Sequence, residues 1–194
     1  MNYKKMKFKF AFTLAEVLIT LLIVGIIASI VIPGLIQDSK NVESKVAWKK
    51  AFSLATQTMK TAASQYEMLI NYDDRWTALK SKFNIVKICS GSTFGNCLPA
   101  GGITTDSSIL SGCGSINLAN QAITQVFVAN DGMIWLRENS GGTNDSFNIG
   151  VDVNGQKGPN QWGKDAFMML LDSKGRVKPS YCDLTGNSTS YLIN

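Results

Sequence analysis

Residues 12–36 read FTLAEVLITLLIVGIIASIVIPGLI. From Val17 to Ile36 the run is about 20 residues of almost wholly apolar side chain, the length of a membrane-spanning helix. A secretory signal has a shorter apolar core, about 7–15 residues, and ends in a small-residue cleavage site. The following QDSKNVESKVAWKK has no A-x-A site and continues as helix-forming sequence. Ahead of the run stand Lys4, Lys5, Lys7 and Lys9, with no acid among residues 1–11. A basic flank tends to stay cytoplasmic, so the body of the chain is expected on the far side of the membrane. One residue disturbs this picture. Glu16 is a carboxylate inside the apolar segment, and at the centre of a span it would cost about 2.5–3.5 kcal/mol. Near the end of a span such a side chain can reach the interface, which is the plainest account of it.

Charge and composition narrow the rest. The chain has 194 residues and a formal net charge of +5, with 19 basic and 14 acidic residues. Four of the basic residues belong to the leader, so from Phe12 onward the two signs nearly balance. A general nucleic-acid partner is therefore not expected of the body. Lys174, Arg176 and Lys178 form one small basic cluster, too few for such a surface. The chain has no histidine, which removes His-based triads, imidazole bases and most zinc enzyme sites. No recognisable nucleophile constellation takes their place, and the chain is read as a non-enzyme. Cys89, Cys97, Cys113 and Cys182 all follow the apolar segment and contain no C-x-x-C pair. In an exported body they suit two disulfides better than a metal site. Four cysteines allow three pairings; Cys89–Cys97 with Cys113–Cys182 is preferred, and the sequence leaves the choice open.

The stretch KFAFTLAEVLITLLIVGIIASIVIP resembles the leader and helix start of type IV pilins and type II secretion pseudopilins. The resemblance covers residues 4–36 in detail and is architectural beyond them. It implies cleavage by a prepilin peptidase after Ala11, with Phe12 becoming a methylated N-terminus. Thr13, Leu14, Glu16, Val17, Leu18 and Ile19 follow the family's F-T-L-x-E-V-L-I run, and Pro33 matches its helix-interrupting proline. Ala11 departs from the usual glycine before the cut. The implied role of Glu16 is to pair with the Phe12 α-amine, in its own subunit or a neighbour's, as helices assemble into a filament. Gly25 and Pro33 would let the helix bend or melt during packing. The resemblance further implies inner-membrane residence with a periplasmic head, then a periplasmic or extracellular filament. Its expected partners are other pilin subunits, the assembly platform and membrane lipid. The alternative is a membrane-tethered exported binding domain or minor tip pilin, serving adhesion or DNA uptake.

Beyond Ile36, Trp48, Phe52, Ala55, Met59, Ala62, Tyr66 and Leu69 recur at helical spacing and form one apolar stripe. The helix is expected to stop at residues 71–74, where Asp73 or Asp74 can cap a shorter helix carrying Trp76, Leu79 and Phe83. Residues 89–118 have the Gly/Ser content of loops. Residues 125–129 and 133–137 read as strands joined by the turn Asn130-Asp131-Gly132, with further strands at 147–153 and 166–172. The expected fold class is α+β: a long N-terminal helix packed on a small antiparallel sheet, as in the pilin ladle. The organisation is a leader (1–11), a membrane or filament-core helix (12–36), an amphipathic helix (37–72) and an exported head (73–194).

In the head, DVNGQKGPNQWGKD (residues 152–165) is the most site-like stretch. Asp152 and Asn154 have the D-x-N-G spacing of an EF-hand loop, and Asp165 can return as a third oxygen ligand. No Glu completes the pattern. Calcium is the candidate ion, since it occurs in some pseudopilin heads. The competing reading is an ordered turn, with Asn and Asp bonding their own backbone. Trp135 and Trp162 are expected in the core rather than as exposed anchors.

Overall fold

The structure, a computed structural model, describes residues 12–65, 72–103, 123–138, 146–172 and 174–180. Helix α1 spans Leu14–Gln65. The chain divides into two compact units, Met1–Lys40 and Asn41–Asn194.

In the first unit, α1 is apolar on all sides. Leu18, Leu22, Ile26 and Ile30 are all exposed. The helix is long and apolar enough to cross a membrane, and its most apolar window is not buried within the chain. Neither Gly25 nor Pro33 breaks it. Without water, an unwound backbone has no other hydrogen-bond partner, and a proline is tolerated inside a helix.

In the second unit, α1 places Trp48, Ala51, Ala55, Met59 and Ala62 in the core, with Phe52 half-buried beside them. Their spacings of three and four put them on one face. Tyr66 and Leu69, the end of the expected stripe, lie outside the described residues. Helix α2 spans Tyr72–Lys80 and buries Trp76 and Leu79. Asp73 and Asp74 fall within its first turn rather than capping it, and Phe83 comes after its end. An acid in the first turn still complements the helix dipole.

Among the described residues six strands follow: β1 (Ile85–Ser90), β2 (Ile123–Ala129), β3 (Ile134–Glu138), β4 (Ser146–Asp152), β5 (Ala166–Asp172) and β6 (Val177–Pro179). They form one antiparallel sheet in sequential order. The fold class is thus α+β. The four expected strands are present, three of them with shifted ends and β5 with the ends expected, while β1 and β6 were not expected. The end of β1 lies in the segment expected to be loop, because Cys89 and Ser90 share the small, polar composition of residues 91–97.

The sheet buries both faces. On β2, Phe127 and Ala129 join the core with α1 and α2, whereas Val126 belongs to a second cluster. The same alternation holds on β3 for Trp135 against Leu136, and on β5 for Phe167 against Met168. Side chains alternate across a strand, so the two clusters lie on opposite faces. Trp48 stacks on Phe167 with ring centroids 4.9 Å apart. The second cluster gathers Cys89, Cys97, Leu98, Ile103 and Trp162. Cys89 and Cys97 are disulfide-bonded across a 3-10 helix, Gly91–Cys97. Cys113 and Cys182 lie outside the described residues. Trp135 and Trp162 are both core residues.

Candidate functional site

The sequence singles out two places, and each is built from local chemistry. At the start of α1, the Thr13 backbone N–H donates to Glu16 Oε2 at 2.8 Å. The Thr13 hydroxyl donates to the same oxygen at 2.8 Å, and the Glu16 N–H donates to Thr13 Oγ1 at 3.2 Å. This reciprocal arrangement is a capping box, which satisfies N–H groups that the first helical turn leaves without partners. The Thr13 carbonyl accepts from the Val17 N–H at 3.3 Å, the first bond of the helix. Thr-Leu-Ala-Glu carries the T-x-x-E signature of such a cap, a signal in the sequence that points to Thr13 as the partner of Glu16. The carboxylate at this end also complements the helix dipole. Phe12 is exposed. Ala11, the residue before the expected cut, lies outside the described residues.

The second place is the connection between β4 and β5, residues 153–165. Asp152 ends β4 opposite Ala166, which opens β5. Both Asp152 and Asp165 are fully buried. Asp152 Oδ1 accepts the N–H groups of Asn154 at 3.2 Å and Gly155 at 2.9 Å. Asp165 accepts three: Gln161 N–H at 2.7 Å on Oδ1, and Asn160 N–H at 2.8 Å and Asn154 Nδ2 at 3.0 Å on Oδ2. Gly155 has φ of 68°, and a Cβ there would overlap the Gly132 carbonyl oxygen in the β2–β3 turn. Glycine is required by both conformation and space. Trp162 folds over Gly150, where a Cβ would collide with Leu136 and the indole. Gln156 Nε2 donates to the Cys97 carbonyl at 3.4 Å, tying the connection to the disulfide-closed segment. Burial, and then the neighbouring Asp165 charge, push the Asp152 carboxyl up to about 8.

The structure brings Asp152, Asn154 and Asp165 together, as expected. What they present to one another is N–H against oxygen. Asn154 turns its amide nitrogen to Asp165, which leaves its Oδ1 buried with no hydrogen-bond partner, and both Asp165 oxygens accept backbone N–H groups. A calcium ion needs six to eight converging oxygens. The three side chains alone fall short of that number. Among the described residues there is also no group of three or more His, Cys, Asp or Glu side chains suited to a metal. The residue that the sequence reading missed is Asn160, which has φ of 51° and sits between the two carboxylates. Asn tolerates that left-handed conformation, and its place after Pro159 was the available signal.

In the basic cluster, Arg176 is bound to Asp172 of β5, so it serves the β5–β6 turn. Comparison with protein-family models, with curated proteins and with solved structures finds no match to this chain.

Proposed function

We propose that this chain is a filament subunit of the type IV pilin or type II secretion pseudopilin kind. It is held in the inner membrane by residues 14–36, with its head in the periplasm. The supporting observation is the apolar window of α1, unburied within the chain, in a helix that opens on the Thr13–Glu16 box. Covering one large aliphatic side chain is worth about 1.5–3 kcal/mol, so a surface of this size requires lipid or other helices. Lipid covers it before assembly, and neighbouring subunits cover it in the filament.

The mechanism is assembly, not catalysis. A prepilin peptidase cuts between Ala11 and Phe12 and leaves a free α-amine next to the capped helix start. The Glu16 carboxylate already faces that end of the chain through Thr13. Pairing of Glu16 with the amine of its own or a neighbouring subunit offsets the cost of burying either charge and fixes the register of packing. The head then rides on the outside of the filament, in the manner of the pilin ladle.

Intact mass of the membrane-extracted protein tests the processing. The expected mass lacks residues 1–11 and carries one added methyl group. A full-length mass would replace this reading with a membrane-tethered exported domain. Glu16→Ala tests the registry role: insertion should persist while incorporation into filaments falls to background. Normal filaments from that variant would remove it.

A further inference from the structure

The sequence holds one Asn-Gly pair, Asn154-Gly155, and it lies in the β4–β5 connection. Asparagine is chemically labile, and a following glycine leaves the backbone least restrained for the reaction that destroys it. In that reaction hydroxide takes the proton of the Gly155 N–H, and the nitrogen attacks Asn154 Cγ. A C–N bond forms, charge gathers on Oδ1, the bond to Nδ2 breaks and ammonia leaves. Water then opens the cyclic imide to aspartate or isoaspartate. The sum is one amide and one water consumed, one carboxylic acid and one ammonia formed.

The fold demands both members of the pair. Gly155 has φ of 68°, and the Gly132 carbonyl oxygen occupies the place of its missing Cβ. Asn154 gives its backbone N–H to Asp152 and its side-chain nitrogen to Asp165, so it serves both buried acids.

The bonds around the pair oppose each step of the reaction. The Gly155 N–H is buried and donates to Asp152 Oδ1 at 2.9 Å, out of reach of hydroxide. With its amide orientation assigned from its surroundings, Asn160 places its nitrogen 3.0 Å from the Gly155 carbonyl and 3.3 Å from Asp152 Oδ2. Gly155 is thus held at both of its backbone polar groups, and Asp152 at both oxygens. Asn154 Nδ2 donates to Asp165 Oδ2 at 3.0 Å and to the Gly158 carbonyl at 3.4 Å, which anchors the nitrogen that would leave. Asn154 Oδ1 is buried without a hydrogen-bond partner. Asp152 could draw the Gly155 proton in place of hydroxide, but the charge then developing on Oδ1 would meet no donor to stabilise it. A bare buried acceptor costs stability. Here it also denies the tetrahedral intermediate its support.

We propose that Asn154 is a latent deamidation site, kept intact while the β4–β5 connection is closed and converted once it opens. The conversion is one-way. A carboxylate at position 154 presents an acceptor where Asp165 requires a donor, and sets a third acid beside two buried ones. Isoaspartate also lengthens the backbone by one atom. The connection therefore does not close again, and Gln156 is released from the Cys97 carbonyl of the disulfide-closed segment.

The test holds the full chain in detergent at mildly alkaline pH, folded or in guanidinium, and follows Asn154 by peptide mass and isoaspartate content. Conversion in the folded chain should be slower by about 100-fold or more, the factor that local opening sets. Equal rates in the two conditions would overturn the proposal, and this comparison needs no variant. Asp152→Ala releases the Gly155 N–H and should raise the folded rate by about tenfold or more. A folded Asp152→Ala chain that converts at the wild-type rate counts against the protection. Asn154→Asp reproduces one product. Its thermal midpoint should fall by about 5 °C or more, with the Gly155 amide exchanging freely. A wild-type midpoint and a protected Gly155 amide in that variant would rule out the one-way opening.

Discussion

Along residues 14–36 of α1 the side chains of Leu18, Leu22 and Ile30 stand exposed, whereas along residues 44–62 those of Trp48, Ala55 and Met59 are fully buried. The backbone is helical in both stretches. What differs is the arrangement of apolar residues. The later stretch confines them to a stripe, and a stripe can be covered by one sheet. The earlier stretch has them on all sides, and no single face of a protein can cover that. A helix of the second kind contributes to folding of its own unit, while a helix of the first kind must find its solvent elsewhere.

Substitutions can break this contrast at either end. Trp48→Ala has the largest expected effect. It removes a fully buried ring stacked on Phe167 and should cost about 3–5 kcal/mol in denaturant unfolding of the chain in detergent. Ile27→Lys sharpens the contrast from the other side. At an exposed position in the apolar run, it should leave the unfolding of the Asn41–Asn194 unit unchanged. Membrane insertion, measured in a translocation assay, should weaken by about 2.5–3.5 kcal/mol. If Ile27→Lys destabilised the Asn41–Asn194 unit as Trp48→Ala does, the two stretches would not be independent. Smallest is Thr13→Ala, which removes the hydroxyl from the capping box. It should loosen the first turn of α1 by about 1 kcal/mol, read as faster amide exchange at residues 14–17 with the rest of the helix unchanged.

Features that depend on neighbours in sequence were legible before the structure. The apolar run, the stripe through Trp48 and Met59, and the turn Asn130-Asp131-Gly132 all announce themselves within a few residues. Strand β5 was legible to its ends, because AFMMLLD is a short apolar run bounded by turn residues. The structure adds that its apolar run serves two cores, one on each face. Strand β1 was not legible. Val86 and Ile88 are exposed on it and Lys87 lies between them, so its pattern gives no buried face until β2 pairs with it.

The candidate site divides in the same way. Asp152, Asn154 and Asp165 were grouped by their place in one connection, and in the structure Asn154 bonds both acids. Their chemistry was not readable, because it depends on which end of the Asn154 amide faces Asp165 and on burial of both acids. Glu16 shows the converse. Its capping partner was written three residues earlier, and the membrane context drew attention to its charge instead.

The sequential order of the sheet has a consequence for how the chain is made. Each strand from β2 to β6 pairs with the strand just before it, without a crossover. A chain that emerges in sequence order can therefore add one strand at a time to an edge that already exists. Such local pairing keeps loop-closure costs low and favours rapid folding. The exception is β1, which is joined to β2 by the disulfide-closed turn and a further long segment. In a folding series the pairing of β1 with β2 should thus be the slow step of the sheet, and the later hairpins the fast ones.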